Sequence, residues 1–361
     1  MVYLFGLHEC YAQFCDLLLR TLKNNRKPKT GLLLLNLGTP DSPMVSDVRR
    51  YLSQFLNDPR VIDIPWLLRK ILVNLIIVPF RAPKSAKIYQ ELWTDRGSPL
   101  LIYGNSLKEK MQKRVGENVV VELAMRYQQP AIKDVLERMR AMNLDRIIVF
   151  PLFPQYASSS TGSALQEVME VVKNWWVIPE LKIFSQYFDH PLYLETVAGT
   201  GKEFPHENYD HVIFSYHGLP ERQVDKVYED RKCSNHACED QLDNENYYCY
   251  KAGCYYTTSE IVRRLNIPEG KYTVSFQSRL DNKWLKPYSD EVVQQLAEKG
   301  AKNILVFSPA FTADCLETTI EIGHEYFEIF TKAGGKSVQL VPSLNDRDEW
   351  VETIYKLAFN E

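Results

Sequence analysis

The chain has 361 residues, 45% of them hydrophobic and 25% charged, with 43 Lys and Arg against 46 Asp and Glu for a formal net charge of −3. This composition excludes collagen, coiled coil and wholesale disorder, and near-neutral charge gives no support for a nucleic acid as partner. At about 150 residues per domain the length predicts two domains, each large enough to bury a core.

The stretch MVYLFGLHECYAQFCDLLLR lacks a basic start and is interrupted by Glu9 and Asp16. It reads as an amphipathic helix in an N-terminal extension, residues 1–29, and not as a targeting peptide; a cytoplasmic protein is expected. Strands are predicted at 31–36, 119–124, 146–150, 181–184, 211–215, 272–276, 303–306 and 337–340. They are short and rich in Val, Ile, Leu and Phe, as expected for strands covered on both faces. Helical patterns such as 131–142 and 290–299 lie between them. The alternation predicts an α/β fold of two similar Rossmann-like domains, 30–190 and 191–361. Each should hold a parallel sheet of about four strands, with the last helix packing back on the first domain.

The most apolar stretch, 64–80, is broken by Arg69, Lys70 and Asn74 and is too short and polar to span a bilayer. With Arg81, Lys84 and Lys87 following, the 64–89 segment suits a membrane interface or a core helix with solvated basic flanks. No G-x-G-x-x-G or complete P-loop is present, so a ligand other than a nucleotide is expected.

In open parallel sheets ligands bind beyond the carboxyl ends of the strands. After the second strand, Pro130 is expected to open a helix. Arg126 and Tyr127 would then stand at the mouth, where an Arg can fork onto a carboxylate or form a surface ion pair. After the third strand, FPQYASSSTGSALQEV sets a run of hydroxyls before a helix, which suggests an anion site; N-capping explains one or two of them. After the fifth, His217 is pinned by Gly218 and Pro220, placed to exchange protons near neutral pH. After the seventh, a helix is predicted from near Thr312. Asp314, Glu317, Glu321 and Glu325 would share one face. The helix dipole favours acids only in the first turn, so a row of oxygen ligands for a divalent cation is expected, with Cys315 and His324 close by.

Four of the seven cysteines, Cys233, Cys238, Cys249 and Cys254, fall within an insert at 229–255 with x4, x10 and x4 spacing. The following Thr257-Thr258-Ser259-Glu260 reads as a capping box. Four thiolates can bind a [2Fe–2S] cluster or Zn²⁺, although x4 is looser than the x2 of many zinc sites. Two disulfides would require an oxidising compartment.

NLGTPDSP, KIYQELWTDRGSPL, AMRYQQP, FPQYASSSTGSAL, FSYHGLPER, FQSRLDNKWLKP and SPAFTADCLETTIE stand in this order from about residue 30 onward. Together they resemble the ferrochelatase family, which inserts Fe²⁺ into a porphyrin. The resemblance implies His217 as proton acceptor or metal ligand and Glu317 and Glu321 as a metal or proton path. It implies Leu37, Arg126, Tyr127, Ser278 and Trp284 as porphyrin-cleft positions, and 64–89 as an apolar lip with peripheral membrane contact on the cytoplasmic face. Leu37 resembles members that use protoporphyrin IX to make protohaem; Tyr there goes with coproporphyrin. A coproporphyrin ferrochelatase or a cobalt chelatase is the alternative. A bacterial subset with four cysteines in an internal insert is similar to this chain, which implies a [2Fe–2S] cluster on Cys233, Cys238, Cys249 and Cys254, with zinc second. Two positions depart from patterns in the family: Ser158 stands where some members carry an internal cluster Cys, and Cys315 where many have His. A monomer or homodimer is expected.

Overall fold

Leu32, Leu33, Leu34 and Leu35 are all fully buried. Side chains alternate across a strand, so an unbroken apolar run requires cover on both faces. Strand β1 (Thr30–Asn36) accordingly lies inside a parallel sheet with helices on either side. The computed structural model describes residues 28–360. The amphipathic helix expected over 1–20, with Cys10 and Cys15, lies outside the described residues.

The first half runs β1, α1 (Val45–Leu56), α2 (Trp66–Ile71), a π-helix (Leu72–Ile77), α3 (Val78–Leu92), α4 (Pro99–Arg114), β2 (Val119–Met125), α5 (Ile132–Ala141) and β3 (Arg146–Pro151). A π-turn (Ser158–Gly162), α6 (Ser163–Val172) and β4 (Glu180–Ile183) complete it. The second half runs α7 (Pro191–Gly201), β5 (His211–His217), α8 (Glu221–Val224), α9 (Tyr250–Leu265), β6 (Tyr272–Gln277), α10 (Ser289–Glu298) and β7 (Asn303–Phe307). It closes with a ten-residue π-helix (Glu317–Tyr326), α11 (Phe327–Lys332), β8 (Ser337–Leu340) and α12 (Asp348–Phe359).

The strand orders are β2-β1-β3-β4 and β6-β5-β7-β8, every neighbouring pair parallel. The expected α/β class with two four-stranded parallel sheets is therefore what the chain forms. In both sheets the order reverses at the same strand, β1 in one and β5 in the other. A ligand crevice opens where connections diverge to opposite faces. Leu37 follows β1 and His217 ends β5, so the two residues occupy equivalent switch points.

One continuous core crosses both sheets, from Phe150 through Tyr187 and Trp350 to Phe214 and Phe307. Polar clasps span it: the Tyr193 hydroxyl donates to the Pro309 carbonyl at 2.7 Å, and Thr312 donates to the Leu152 carbonyl at 3.0 Å. Helix α12 packs against α4, with Arg114 on Glu352 at 2.7 Å and over the Tyr355 ring at 3.6 Å.

Local sequence rules mislead at two helix starts. Pro130 does not open a helix; Ala131 is the N-cap and α5 starts at Ile132. Thr257–Glu260 is no capping box, because α9 already runs from Tyr250 and Thr257 donates back to the Gly253 carbonyl at 2.7 Å, in mid-helix.

Candidate functional site

His217 owes its position to the chain's exit from β5. Gly218 donates its N–H to the Gln277 carbonyl at 2.8 Å, and a Cβ on residue 218 would lie 2.8 Å from that same oxygen. Only glycine allows this approach. The following residues pair with the Lys283–Leu285 segment, which carries Trp284. The His217 ring sits 6.4 Å from the rings of both Trp284 and Phe311. Its Nδ1 lies 2.6 Å from the Gly218 carbonyl oxygen. A carbonyl can only accept, so Nδ1 holds the hydrogen and the neutral ring keeps its lone pair on Nε2.

The acidic row differs from the expected one. Helical structure begins at the Glu317 turn, not near Thr312. Asp314 is outside it, bonded by the Asn345 side-chain amide at 2.7 Å and by the Ser343 N–H at 3.2 Å. Glu317, Glu321 and Glu325 do share the π-helix, a form often found at functional sites. Glu325 is exposed, and Glu321 and Glu317 are half-buried. Among the described residues the one group of three or more such ligands close enough to share an ion consists of cysteines. Desolvation first, then the charge of Glu321, pushes the Glu325 carboxyl above its usual range. Glu317 faces the first half: burial and then its charge push the Tyr51 hydroxyl upward, and desolvation with Glu317 does the same to the Cys315 thiol. Glu321 accepts from the Ser278 N–H at 2.8 Å, the Ser278 hydroxyl at 2.5 Å and the Gln277 amide at 3.0 Å.

At the mouth of the first sheet, Arg126 and Tyr127 are already engaged. Asp58, which the sequence reading missed, accepts on one oxygen from Arg126 Nη2 at 2.9 Å, from the Tyr127 hydroxyl at 3.0 Å and from the Ser163 hydroxyl at 2.6 Å. Tyr127 is buried and Arg126 also reaches Ser163 and Glu167. Of the two alternatives left open for Arg126, an ion pair is the one formed, though a partly buried one: Nη2 is on Asp58, Nη1 lies 3.4 Å from Glu167 and Nε donates to Ser163. In the run expected to form an anion site, Ser163 is taken up by Asp58 and Ser158 accepts from Arg60 at 2.8 Å, while the buried Thr161 hydroxyl has no hydrogen-bond partner. Leu37 stays half-buried at the end of β1. Gly38 beside it has φ +108°, and a Cβ there would sit 2.1 Å from the Tyr127 carbonyl oxygen. A further cavity of about 390 Å³ is lined by Thr94, Asp95, Arg96, Pro99, Ile102 and Tyr103, next to Ser98, whose buried hydroxyl has no partner.

The 64–89 segment carries Trp66, Leu67, Leu68, Ile71, Leu75, Ile76 and Phe80 outward, Phe80 being 75% exposed. Arg69 is not one of its solvated basic flanks: it is buried and donates to the Ile64 carbonyl at 2.8 Å, pinning the start of the lip. No helix among the described residues is long and apolar enough to cross a membrane. Just before the lip, Asp63 meets Arg222 and, at 2.6 Å, Lys226, tying α8 to the first half. Partial burial alone would raise its carboxyl, but Lys226 and Arg222 together hold it below its usual 3.8. A depressed acid stabilises the fold above its unfolded value and loses that contribution as pH falls through the folded one. Asp63→Asn is therefore expected to lower the melting temperature by on the order of 1–3 °C at pH 7, with the gap narrowing as pH falls below the usual carboxylate value of 3.8. A gap unchanged from pH 7 to 3 would contradict this.

In the cysteine insert the Sγ atoms of Cys233, Cys238 and Cys249 form a triangle of 3.6, 3.6 and 3.8 Å. Thiol donation from Cys233 and Cys238 pulls the Cys249 thiol down to about 3. Three ligands at a metal–sulfur distance of about 2.3 Å in a tetrahedron stand about 3.8 Å apart, so the three sulfurs fit the corners of a metal centre. The fourth expected ligand does not join them. Cys254 lies fully buried one turn into α9, outside the triangle, and burial pushes its thiol up.

Fold and site together define an α/β protein of two parallel sheets with an imidazole and carboxylates at the strand ends of the second. A family model described as Ferrochelatase matches residues 29–361. The ferrochelatase of Coxiella burnetii (strain Dugway 5J108-111) is 42% identical over 348 residues, 93% of this chain and 94% of the relative. That of Legionella pneumophila (strain Corby) is 42% identical over 331 residues, 91% and 98%. Among solved structures, SirB from Bacillus subtilis with Fe³⁺ aligns with a TM-score of 0.49 and 14% identity, covering 92% of this chain and 96% of SirB. The chain belongs to the ferrochelatase family, and is accordingly a chelatase of the lyase class.

Proposed function

We propose that this protein inserts Fe²⁺ into protoporphyrin IX to give protohaem. The observation that carries the reading is the free Nε2 of His217 at the end of β5, between Trp284 and Phe311, one strand away from the residues that hold Glu321. Metallation removes two pyrrole N–H protons and strips water from the ion, with no change in oxidation state. His217 takes the protons as a general base. Glu317 and Glu321 guide the cation inward from Glu325 and replace its waters with carboxylate oxygens. The apolar walls, Leu37 and Trp284 among them, receive the macrocycle. Leu37 offers no hydroxyl for an added propionate, which favours the vinyl-bearing ring. Ser278 and the Arg126–Tyr127 pair border this cleft, the latter through Asp58. The outward apolar side chains of the lip, with Arg81, Lys84 and Lys87, suit contact with a membrane surface.

The test is anaerobic turnover with Fe²⁺, followed by loss of porphyrin fluorescence. Faster metallation of protoporphyrin IX than of coproporphyrin III is expected. Reversed preference would support the alternative substrate, and no metallation of either would sink the reading.

In the insert, Cys233, Cys238, Cys249 and Cys254 would hold a [2Fe–2S] cluster, although Cys254 lies outside the triangle of the other three, and the group would cross-link the insert to α9. The compact sulfur triangle, with sides of 3.6, 3.6 and 3.8 Å, favours a second reading, a single zinc ion. Anaerobically purified protein should be brown, with visible bands lost on dithionite reduction. Colourless protein with one equivalent of zinc would select the second reading.

A further inference from the structure

Ser275, Ser289 and Ser215 are all fully buried, and Gln277 is 2% exposed. Polar groups are costly inside a core unless every one is bonded, and here they are. Ser275 and Ser289 oxygens stand 2.8 Å apart, Ser289 and Ser215 2.9 Å, and the Ser215 hydroxyl donates to Gln277 Oε1 at 2.7 Å. That last bond fixes which way the Gln277 amide points. Its NH₂ must then face the π-helix, where it donates to the Glu317 carbonyl and to a Glu321 carboxylate oxygen, both at 3.0 Å. The Gln277 main chain meanwhile accepts from the N–H of Gly218, next to His217. One buried residue therefore grips both the histidine strand end and the first turn carrying Glu317 and Glu321. The next residue, Ser278, is held at φ +61°, a conformation uncommon outside glycine, by two bonds to Glu321.

We infer that Gln277 is a positioning residue: oriented by the buried serine chain, it fixes the Glu317–Glu321 turn relative to His217. This rests on the proposed roles of those three residues. Gln277 itself does not touch substrate. Its effect should fall on the chemical step and not on porphyrin binding, because a misplacement of about 1 Å among reacting groups can cost roughly 10²-fold in rate.

The experiment compares wild type, Gln277→Met, Glu321→Gln and the double variant in anaerobic turnover, with porphyrin binding by fluorescence and thermal melting measured alongside. Gln277→Met keeps the side-chain volume and removes both the donor and the acceptor. It is expected to lower kcat about 10²-fold with porphyrin affinity within about twofold of wild type. In the Glu321→Gln background it should add almost nothing, since residues acting through one another are not additive. A kcat within threefold of wild type, or costs that multiply fully in the double variant, would overturn the inference. If Gln277→Met fails to accumulate, Ser215→Ala, which frees the amide to turn over, must show the same coupling to Glu321 or the inference falls. An inactive wild type defeats the function itself, and this inference with it. An active wild type with an indifferent Gln277 defeats this inference alone.

Discussion

Replacing His217 by alanine is expected to reduce porphyrin metallation by about 10²–10⁴-fold, the range for loss of a positioned general base, while porphyrin still binds. The neutral ring keeps its lone pair on Nε2 because Nδ1 is committed to the Gly218 carbonyl. No neighbouring side chain in the β5–β6 strand ends can take over: Gln277 and Ser278 are spent as donors to the Glu317 turn. The macrocycle is held mainly by apolar walls, so its affinity should change little. Stopped-flow turnover and porphyrin fluorescence titration on the same variant separate the two effects. Near-normal turnover would remove His217 from the mechanism; lost porphyrin binding would recast it as a packing residue of the cleft.

Asp58→Ala is expected to produce the largest loss of stability among the cleft residues. Its carboxylate takes three bonds on one oxygen, from Arg126, Tyr127 and Ser163, and a fourth on the other from the Arg60 N–H at 2.7 Å. The side chain is only 3% exposed. Arg126 keeps Glu167 at 3.4 Å, so the cost falls on the buried Tyr127 and Ser163 hydroxyls, which lose their acceptor at about 1–3 kcal/mol each. The buried Tyr127 hydroxyl would be left with Ser163 alone, and the ring sits among Tyr51 and Phe55 at 6.4 and 5.4 Å. Denaturant unfolding of Asp58→Ala and Asp58→Asn should show the alanine variant as the worse, because the amide still accepts. A loss below about 1 kcal/mol would mean that water replaces the carboxylate and that the cluster is surface-like.

The chain of apolar runs by itself determined the two parallel sheets. A strand buried on both faces needs an uninterrupted stretch of Val, Ile, Leu or Phe, and that requirement is local, so it is written in consecutive residues such as 32–35. The strand ends follow from the same runs, which is why His217 could be placed at a strand mouth from sequence; Leu37 came from the family resemblance. Motif order sufficed for the family. Contacts between distant segments were decided only by the tertiary structure. Asp58 is 68 residues from Arg126, and no spacing rule joins them; only the meeting of the segment after α1 with the turn after β2 does. The same holds for Gln277, whose neighbours Ser215, Glu317 and Glu321 come from two separate elements, β5 and the π-helix. Local patterns failed where a long-range partner won: Asp314 left the acidic face because Asn345 and Ser343 claim it, and Thr257 lost its capping role because α9 starts at Tyr250, seven residues earlier. Cys254 shares the spacing of a four-thiol set, yet one turn into α9 it lies outside the group formed by the other three sulfurs. Sequence specifies what each segment is, through periodicity and burial. Which charged and polar groups meet is set by how the segments close on one another, because a buried polar group takes whichever partner the fold delivers within hydrogen-bond reach.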